Sequence, residues 1–285
     1  MEVPYSYDPI IDRRPLGWPK DARLAFWLTP NIEVFRLGMP ITAQGVMTPS
    51  VSSYAQRDYG NRVAIWRVME VLERHRVKAT VALNAEVCER TPRVIEEAKK
   101  LGWEFMGHGL TNSILLPDLS ASEQAEHIRQ TVRMIKEGTG TAPRGWFSAG
   151  LAETPDTLDQ LVDSGIEYLA DWVADDQPFW MRTRAGRLIG MPYGQVNDIG
   201  VFSDRGRDPA VFVTLVKNAF DTLYNESAAT GRVLAISIHP FIIGHPSLVI
   251  ALDEALAYVM RHEGVWATTG SEIIDYYRQQ VPPPQ

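Results

Sequence analysis

The chain has a single cysteine, Cys88, in 285 residues. That excludes an intrachain disulfide framework and any metal site built from several cysteines. Positive charge is also scarce: 28 Lys and Arg stand against 35 Asp and Glu, a net charge of −7, with no basic cluster. A nucleic-acid partner is therefore not expected. Long apolar runs are missing too. The most apolar stretch, 233–252, is broken by His239, Pro240, Gly244, His245 and Pro246, well short of the roughly 20 residues a membrane span needs. The opening Met-Glu-Val-Pro-Tyr-Ser-Tyr-Asp-Pro lacks the basic start and apolar core of a signal peptide. The expectation is a soluble, cytoplasmic protein with no membrane partner.

What is present is an ordinary globular composition, 45% hydrophobic and 22% charged. A chain of this length buries roughly three quarters of its unfolded surface and needs no staple to stay folded. Residues 1–22 read as an irregular arm rich in Pro, Tyr and Asp. Residues 23–29 are a buried strand that Pro30 stops, and 36–58 form a long loop without periodicity. From there strands and helices alternate: helix 62–74, strand 79–83, helix 92–101, strand 103–106, and a helix from Ser120 to about Glu137, opened by the Ser120/Glu123 capping box. Helix 154–164, strand 166–170, strand 188–192 and helix 209–228 follow, then strand 233–238, helix 247–262, strand 265–268 and helix 271–278. Strand-helix repetition of this kind predicts an α/β protein with a parallel sheet and outer helices. About seven units in one domain, 23–280, suggest a closed or nearly closed barrel, with 281–285 as a tail. A doubly wound open sheet is the alternative, but no Gly-x-Gly-x-x-Gly follows the first strand, and no cofactor fingerprint is present.

In such folds the chemistry sits at the carboxyl ends of the strands. The polar residues there are Asn31 and Glu33, two apart and so on one face of an extended chain. Others are His108, Thr111 and Asn112; Ser148 and Glu153; Asp171, Asp175 and Asp176; Asn197 and Asp198; and His239 with His245. Of six histidines, His75, His127 and His262 lie among polar residues on helices and read as solvated. His108 and His239 each end an apolar strand at a Gly or Pro turn, which favours function. Glu33, between Ile32 and Val34 with no helix following, is not a cap. Asp175-Asp176 reads equally as a turn before Pro178. Trp172, Phe179, Trp180 and Tyr193 are either core or the lining of an aromatic pocket.

These residues resemble the polysaccharide deacetylase (NodB-homology) superfamily. More specifically, they are similar to its intracellular branch, which includes metal-independent allantoinase, cyclic imide hydrolases and peptidoglycan-deacetylase-like proteins. The resemblance runs from Arg23 to Tyr277. It rests on the segments 27–33, 58–62, 107–112 and 143–146, on Glu153-Thr154 with 165–168, on 175–178, on Pro192-Tyr193 with Asn197-Asp198, and on 237–240 with 244–246. It implies a distorted (β/α)7 barrel and a hydrolase of non-peptide carbon–nitrogen bonds. Metal-dependent members carry an acidic pair after the first strand and His-x-x-x-His after the third. Here Asn31 stands at the position of the base, and Asn112 at that of the second His. Glu33, His108 and Asn112 would make a poor zinc site, so the resemblance implies a weakly held divalent metal or none.

The roles so implied are Glu33 as general base, if burial raises its pKa toward neutrality, and His239 as general acid. His108 and Asn112 orient the water or the developing oxyanion. Asn31, Asn112, Arg144, Trp146, Tyr193 and Asn197 surround the substrate. The substrate expected is a small linear or cyclic amide, imide or ureide. The alternatives are metal-dependent N-deacetylation of an acetylated sugar, and a non-catalytic binding barrel that kept the pocket. Barrels of this branch also lead one to expect a homo-oligomer, with the 36–58 loop as interface or lid.

Overall fold

The computed structural model describes residues 3–39, 51–204 and 208–284. Its parallel sheet starts with β1 (Leu24–Ile32), β2 (Thr80–Leu83) and β3 (Glu104–Gly107), followed by β4 (Gly145–Trp146) and β5 (Tyr168–Leu169). The antiparallel hairpin β6 (Phe179–Arg182) and β7 (Arg187–Gly190) comes next, then β8 (Val196–Asn197), β9 (Arg232–Ile238) and β10 (Val265–Thr268). The order across the sheet is β6-β7-β5-β4-β3-β2-β1-β9-β8, with β10 on the lower half of β1. The helices are α1 (Val51–Tyr59), α2 (Ile65–Arg74), α3 (Val87–Arg90), α4 (Pro92–Lys100), α5 (Ala121–Thr139), α6 (Thr157–Asp163), α7 (Asp198–Asp204), α8 (Pro209–Glu226), α9 (Pro240–Ile243), α10 (Val249–Met260) and α11 (Gly270–Gln280), most of them packed outside the sheet. The sheet curls into the distorted (β/α) barrel that the alternation predicts.

β1 shows why this sequence makes this sheet. All nine of its residues are buried, as in a strand covered on both faces. Leu24, Phe26 and Leu28 join the cluster under the helices, while Ala25 and Trp27 join the cluster that fills the barrel. The period of two then carries Thr29, Asn31 and Glu33 onto the inward face. Lower in the barrel, Tyr168 takes the space that a side chain at position 145 would need: a Cβ on Gly145 would lie 2.0 Å from its ring.

Several expectations change. Pro30 does not stop β1, because it falls between the β10 ladder, which ends at Trp27↔Thr268, and the β2 ladder, which begins at Asn31↔Ala82. No neighbour on that side asks for its missing N–H. The loop expected over 36–58 is a helix from Val51, and residues 40–50 lie outside the described residues. The helix expected at 62 opens earlier, with a π-helical turn at Gly60–Ala64. The β6 strand was not expected. Asp175 serves the arm: its carboxylate takes both terminal nitrogens of Arg13, at 2.9 and 2.5 Å, and Tyr5 packs edge-on to Trp172 and Phe179.

Candidate active site

Glu33 stands one residue past β1 on the inward face, with two imidazoles converging on it. His108 Nε2 is 3.5 Å and His239 Nε2 3.7 Å from Glu33 Oε1. All three are nearly sealed from solvent. Each histidine follows a strand end, β3 and β9, whose partners in the sheet are neighbours of β1 or β1 itself. Sheet pairing alone therefore brings residues 75 and 206 positions away from Glu33 to its carboxylate.

Both rings are oriented from behind. His108 Nδ1 lies 2.6 Å from the Phe147 carbonyl, which can only accept, so Nδ1 carries a proton and Nε2 faces Glu33. The ring also lies flat on Phe147, with centroids 4.9 Å apart. His239 Nδ1 donates to Asp198 Oδ1 at 2.7 Å, and its backbone N–H to Asp198 Oδ2 at 2.7 Å. Asp198 is fully buried at the start of α7. Asn84, just past β2, ties the strand ends together. Its Oδ1 accepts from Val34 N, and its amide donates to the carbonyl of His108 and to Asn112 Oδ1. Asn61 donates to the Glu33 carbonyl at 2.7 Å.

The charges follow from this geometry. Desolvation alone would raise the Glu33 pKa, but the close approach of His108 and the charges of His239 and Arg57 hold it below the ordinary carboxylate value. This overturns the expectation of a Glu33 raised toward neutrality. Burial opposes the His239 cation, yet the charge and hydrogen bond of Asp198, helped by Glu33, lift it above the ordinary imidazole value. Both shifts act in the direction of a carboxylate facing an imidazolium. Arg57, on α1, adds a cation: its guanidinium lies 5.0 Å from the Phe35 ring and 4.4 Å from the Phe241 ring.

A second acidic group sits behind Phe147. Asp171 Oδ1 accepts Ser148 N–H at 2.7 Å, and Glu153 Oε1 accepts from Trp172 Nε1 at 2.9 Å. Burial, together with the neighbouring Asp171 carboxyl, pushes Glu153 up to about 9, and Asp171 is raised as well. Two carboxyls pressed together in low dielectric hold a proton between them.

The other expected site residues divide. Asn31 lies inside the barrel, its amide shared among Tyr193 Oη, Ser237 Oγ and backbone carbonyls, and Tyr193 Oη is 2.6 Å from Ser237 Oγ. The Tyr193 ring packs against Phe147, with centroids 4.2 Å apart, so both wall the site. Three residues fall elsewhere. Arg144 precedes β4 at the opposite end of the barrel, where it binds Glu167 and Asp275, because β4 is only two residues long. Trp146 is core: it is fully buried, and a Cβ on Gly107 would lie 2.5 Å from its ring. Asn197 turns its Oδ1 to Ile199 N, and its neighbour Asp198 is the residue that reaches the site. His127, expected to be solvated, is buried: its Nε2 accepts Leu110 N–H at 3.1 Å, and desolvation lowers its pKa to about 4.

Sequence reasoning left out Arg57, Asn84 and Phe147 and did not assign Asp198 a role. Asn84 and Phe147 follow strands β2 and β4, so the strand-end rule could have found them. Arg57 sat in what read as a loop and carried no signal.

The set Glu33, His108 and Asn112 offers a metal one carboxylate, one imidazole and one amide oxygen, a weak donor set. Asn112 Oδ1, its only metal-binding oxygen, already accepts from Asn84. Among the described residues no group of three or more His, Cys, Asp or Glu side chains is arranged to hold one. Likewise, no helix among them is long and apolar enough to cross a membrane.

Comparison with known proteins agrees with this architecture. Residues 49–169 match the family described as Polysaccharide deacetylase. A Schizosaccharomyces pombe protein named as a polysaccharide deacetylase is 25% identical over 262 residues, 86% of this chain and 81% of its own. The crystal structure of the allantoinase PuuE superposes with a TM-score of 0.86 at 25% identity, over 98% of this chain and 99% of its own. A Pseudomonas aeruginosa structure described as a polysaccharide deacetylase gives 0.85 at 26% identity, over 99% and 100%. By sequence match and fold, the chain carries a polysaccharide deacetylase (NodB-homology) domain over residues 49–169, and it is a hydrolase acting on non-peptide carbon–nitrogen bonds.

Proposed function

We propose that the chain hydrolyses a small linear or cyclic amide, imide or ureide, with Glu33 and His239 as the working pair. The observation that carries this is one carboxylate held between two imidazoles, one of them hydrogen-bonded to a buried aspartate. A carboxylate that stays ionised takes a proton from water as the oxygen attacks the carbonyl carbon. The imidazolium gives its Nε2 proton to the nitrogen as the carbon–nitrogen bond breaks. His108, with its Nε2 toward Glu33 and its other nitrogen fixed on a carbonyl, orients the attacking water. The likeness to the allantoinase PuuE, named for opening a cyclic ureide, supports this substrate class over a polymer.

A second reading is N-deacetylation of an acetylated sugar, which the names of the yeast and Pseudomonas relatives favour. One experiment separates the two. The purified protein is tested against succinimide, hydantoin, allantoin and N-acetylglucosamine oligomers, with and without chelator, alongside elemental analysis for metal. Chelator-resistant opening of a cyclic substrate supports the proposal. Stoichiometric zinc with chelator-sensitive release of acetate overturns it in favour of the second reading.

A further inference from the structure

A carboxylate held below its ordinary value is a weak base, so water attack on an amide needs help from the carbonyl side. Arg57 is placed to give it. Its side chain is only 6% exposed, although arginine is among the residues least often buried. The guanidinium is fixed between two aromatic rings, Phe35 from the segment after β1 and Phe241 from the segment after β9. Those segments flank Glu33 and His239, and Phe241 packs edge-on to the His239 ring, with centroids 5.6 Å apart. The positive charge is felt at both groups. A planar guanidinium stacked on two rings suits an oxygen anion and not a cationic group.

We infer that Arg57 is the oxyanion-binding residue of this site, receiving the substrate carbonyl oxygen as it becomes negative. The inference rests on the hydrolase reading above. In the step, the water oxygen bonds to the carbonyl carbon and its proton passes to Glu33. The carbonyl π pair moves onto oxygen, opposite the guanidinium. On collapse that pair re-forms the carbonyl, the carbon–nitrogen bond breaks, and the nitrogen leaves with the His239 proton. The products are a carboxylic acid and the freed nitrogen group (an amine from an amide, an amide or urea from an imide or ureide), with one water consumed; the proton on Glu33 returns to His239. Nothing is oxidised or reduced. The ligand class is therefore a tetrahedral or planar oxyanion at a buried guanidinium, and carboxylate products should inhibit.

The test uses the full chain and the first imide or ureide found to turn over. Arg57→Gln should lower kcat about 10²–10³-fold, the cost of one oxyanion donor, with KM changed by less than about threefold. Arg57→Lys keeps the charge without the fork and should recover about a factor of ten of the loss. Calorimetric binding of methylphosphonate, a tetrahedral oxyanion, gives a readout free of turnover. Affinity should weaken at least about tenfold in Arg57→Gln and be retained in Glu33→Gln. If no amide or imide is hydrolysed while methylphosphonate binding still depends on Arg57, the hydrolase reading fails and the anion site stands. The inference is overturned if the wild type does not bind the phosphonate, or if Arg57→Gln keeps kcat and affinity. It is also overturned if both Arg57 variants lose activity equally, with melting temperatures lowered in step, since that marks a purely structural role.

Discussion

Replacing Asp198 by Asn tests the charge relation at the centre of the site. In the folded protein Asp198 accepts two hydrogen bonds from His239, one from the ring and one from the backbone, each 2.7 Å long. Asparagine keeps the shape and can accept the ring bond through Oδ1, but it turns an NH2 toward the His239 backbone N–H. Two consequences follow. The charge-assisted part of the ring bond is lost, about 1.5–3 kcal/mol. At about 1.4 kcal/mol per pKa unit, the His239 value should fall by about 1–2 units. The unsatisfied backbone donor, sealed from water, should cost about 1–3 kcal/mol of stability. The first assay is a two-dimensional NMR titration of the imidazoles, which needs no substrate. The second is the pH profile of kcat/KM on the substrate identified as above. The alkaline limb should move down by the same 1–2 units, with the acid-side plateau within a few-fold of wild type once folding is verified. A limb that stays in place, or a His239 titration unchanged from wild type, refutes the reasoning.

Further outcomes follow from the same geometry. Glu33→Gln should lower kcat at least about 10²-fold at every pH, because an amide cannot accept the water proton; unimpaired turnover would remove Glu33 as base. The pair Glu33 and His239 also shapes stability. Glu33, depressed from 4.5, contributes above that value, and the contribution is lost as pH falls through the lower folded value. His239, raised from 6.5, contributes below that value and loses it as pH rises through the higher folded value. Thermal melts should therefore peak in mildly acidic buffer, between about 4.5 and 6.5. Glu153→Gln imitates the protonated carboxyl and should raise the melting temperature by a few degrees at pH 8, with no gain below pH 4.5, where both forms are neutral. Gly107→Ala should cost about 1–3 kcal/mol, read by denaturant melts, because its Cβ would drive into the buried Trp146 ring.

How far the site could be read in advance depends on the residue. Glu33, His108 and His239 were legible because each directly follows a long or strongly apolar strand, and a parallel barrel gathers such ends. Arg144 and Trp146 were misplaced because β4 has only two residues: a shift of three positions separates the far end of the barrel from Phe147, which does face the site. Asn197 and Asp198 differ by one position at a strand-to-helix junction, and only the backbone path decides which side chain turns inward. Arg57 was invisible because its burial comes from rings at positions 35 and 241, which no local pattern links to it.

The sequence by itself determined the architecture. Alternating apolar strands and amphipathic helices leave few ways to bury both faces of a parallel sheet, and β1, with every residue buried, admits almost none but the barrel centre. It also set the inward period that carries Asn31 and Glu33 to the barrel mouth. The protonation states were decided by tertiary structure alone. Whether a buried carboxylate rises or falls depends on the groups that reach it, and here His108, His239 and Arg57 come from three distant segments to hold Glu33 down. Desolvation belongs to a residue's depth, whereas Coulomb attraction belongs to distances between side chains that only the curled sheet sets.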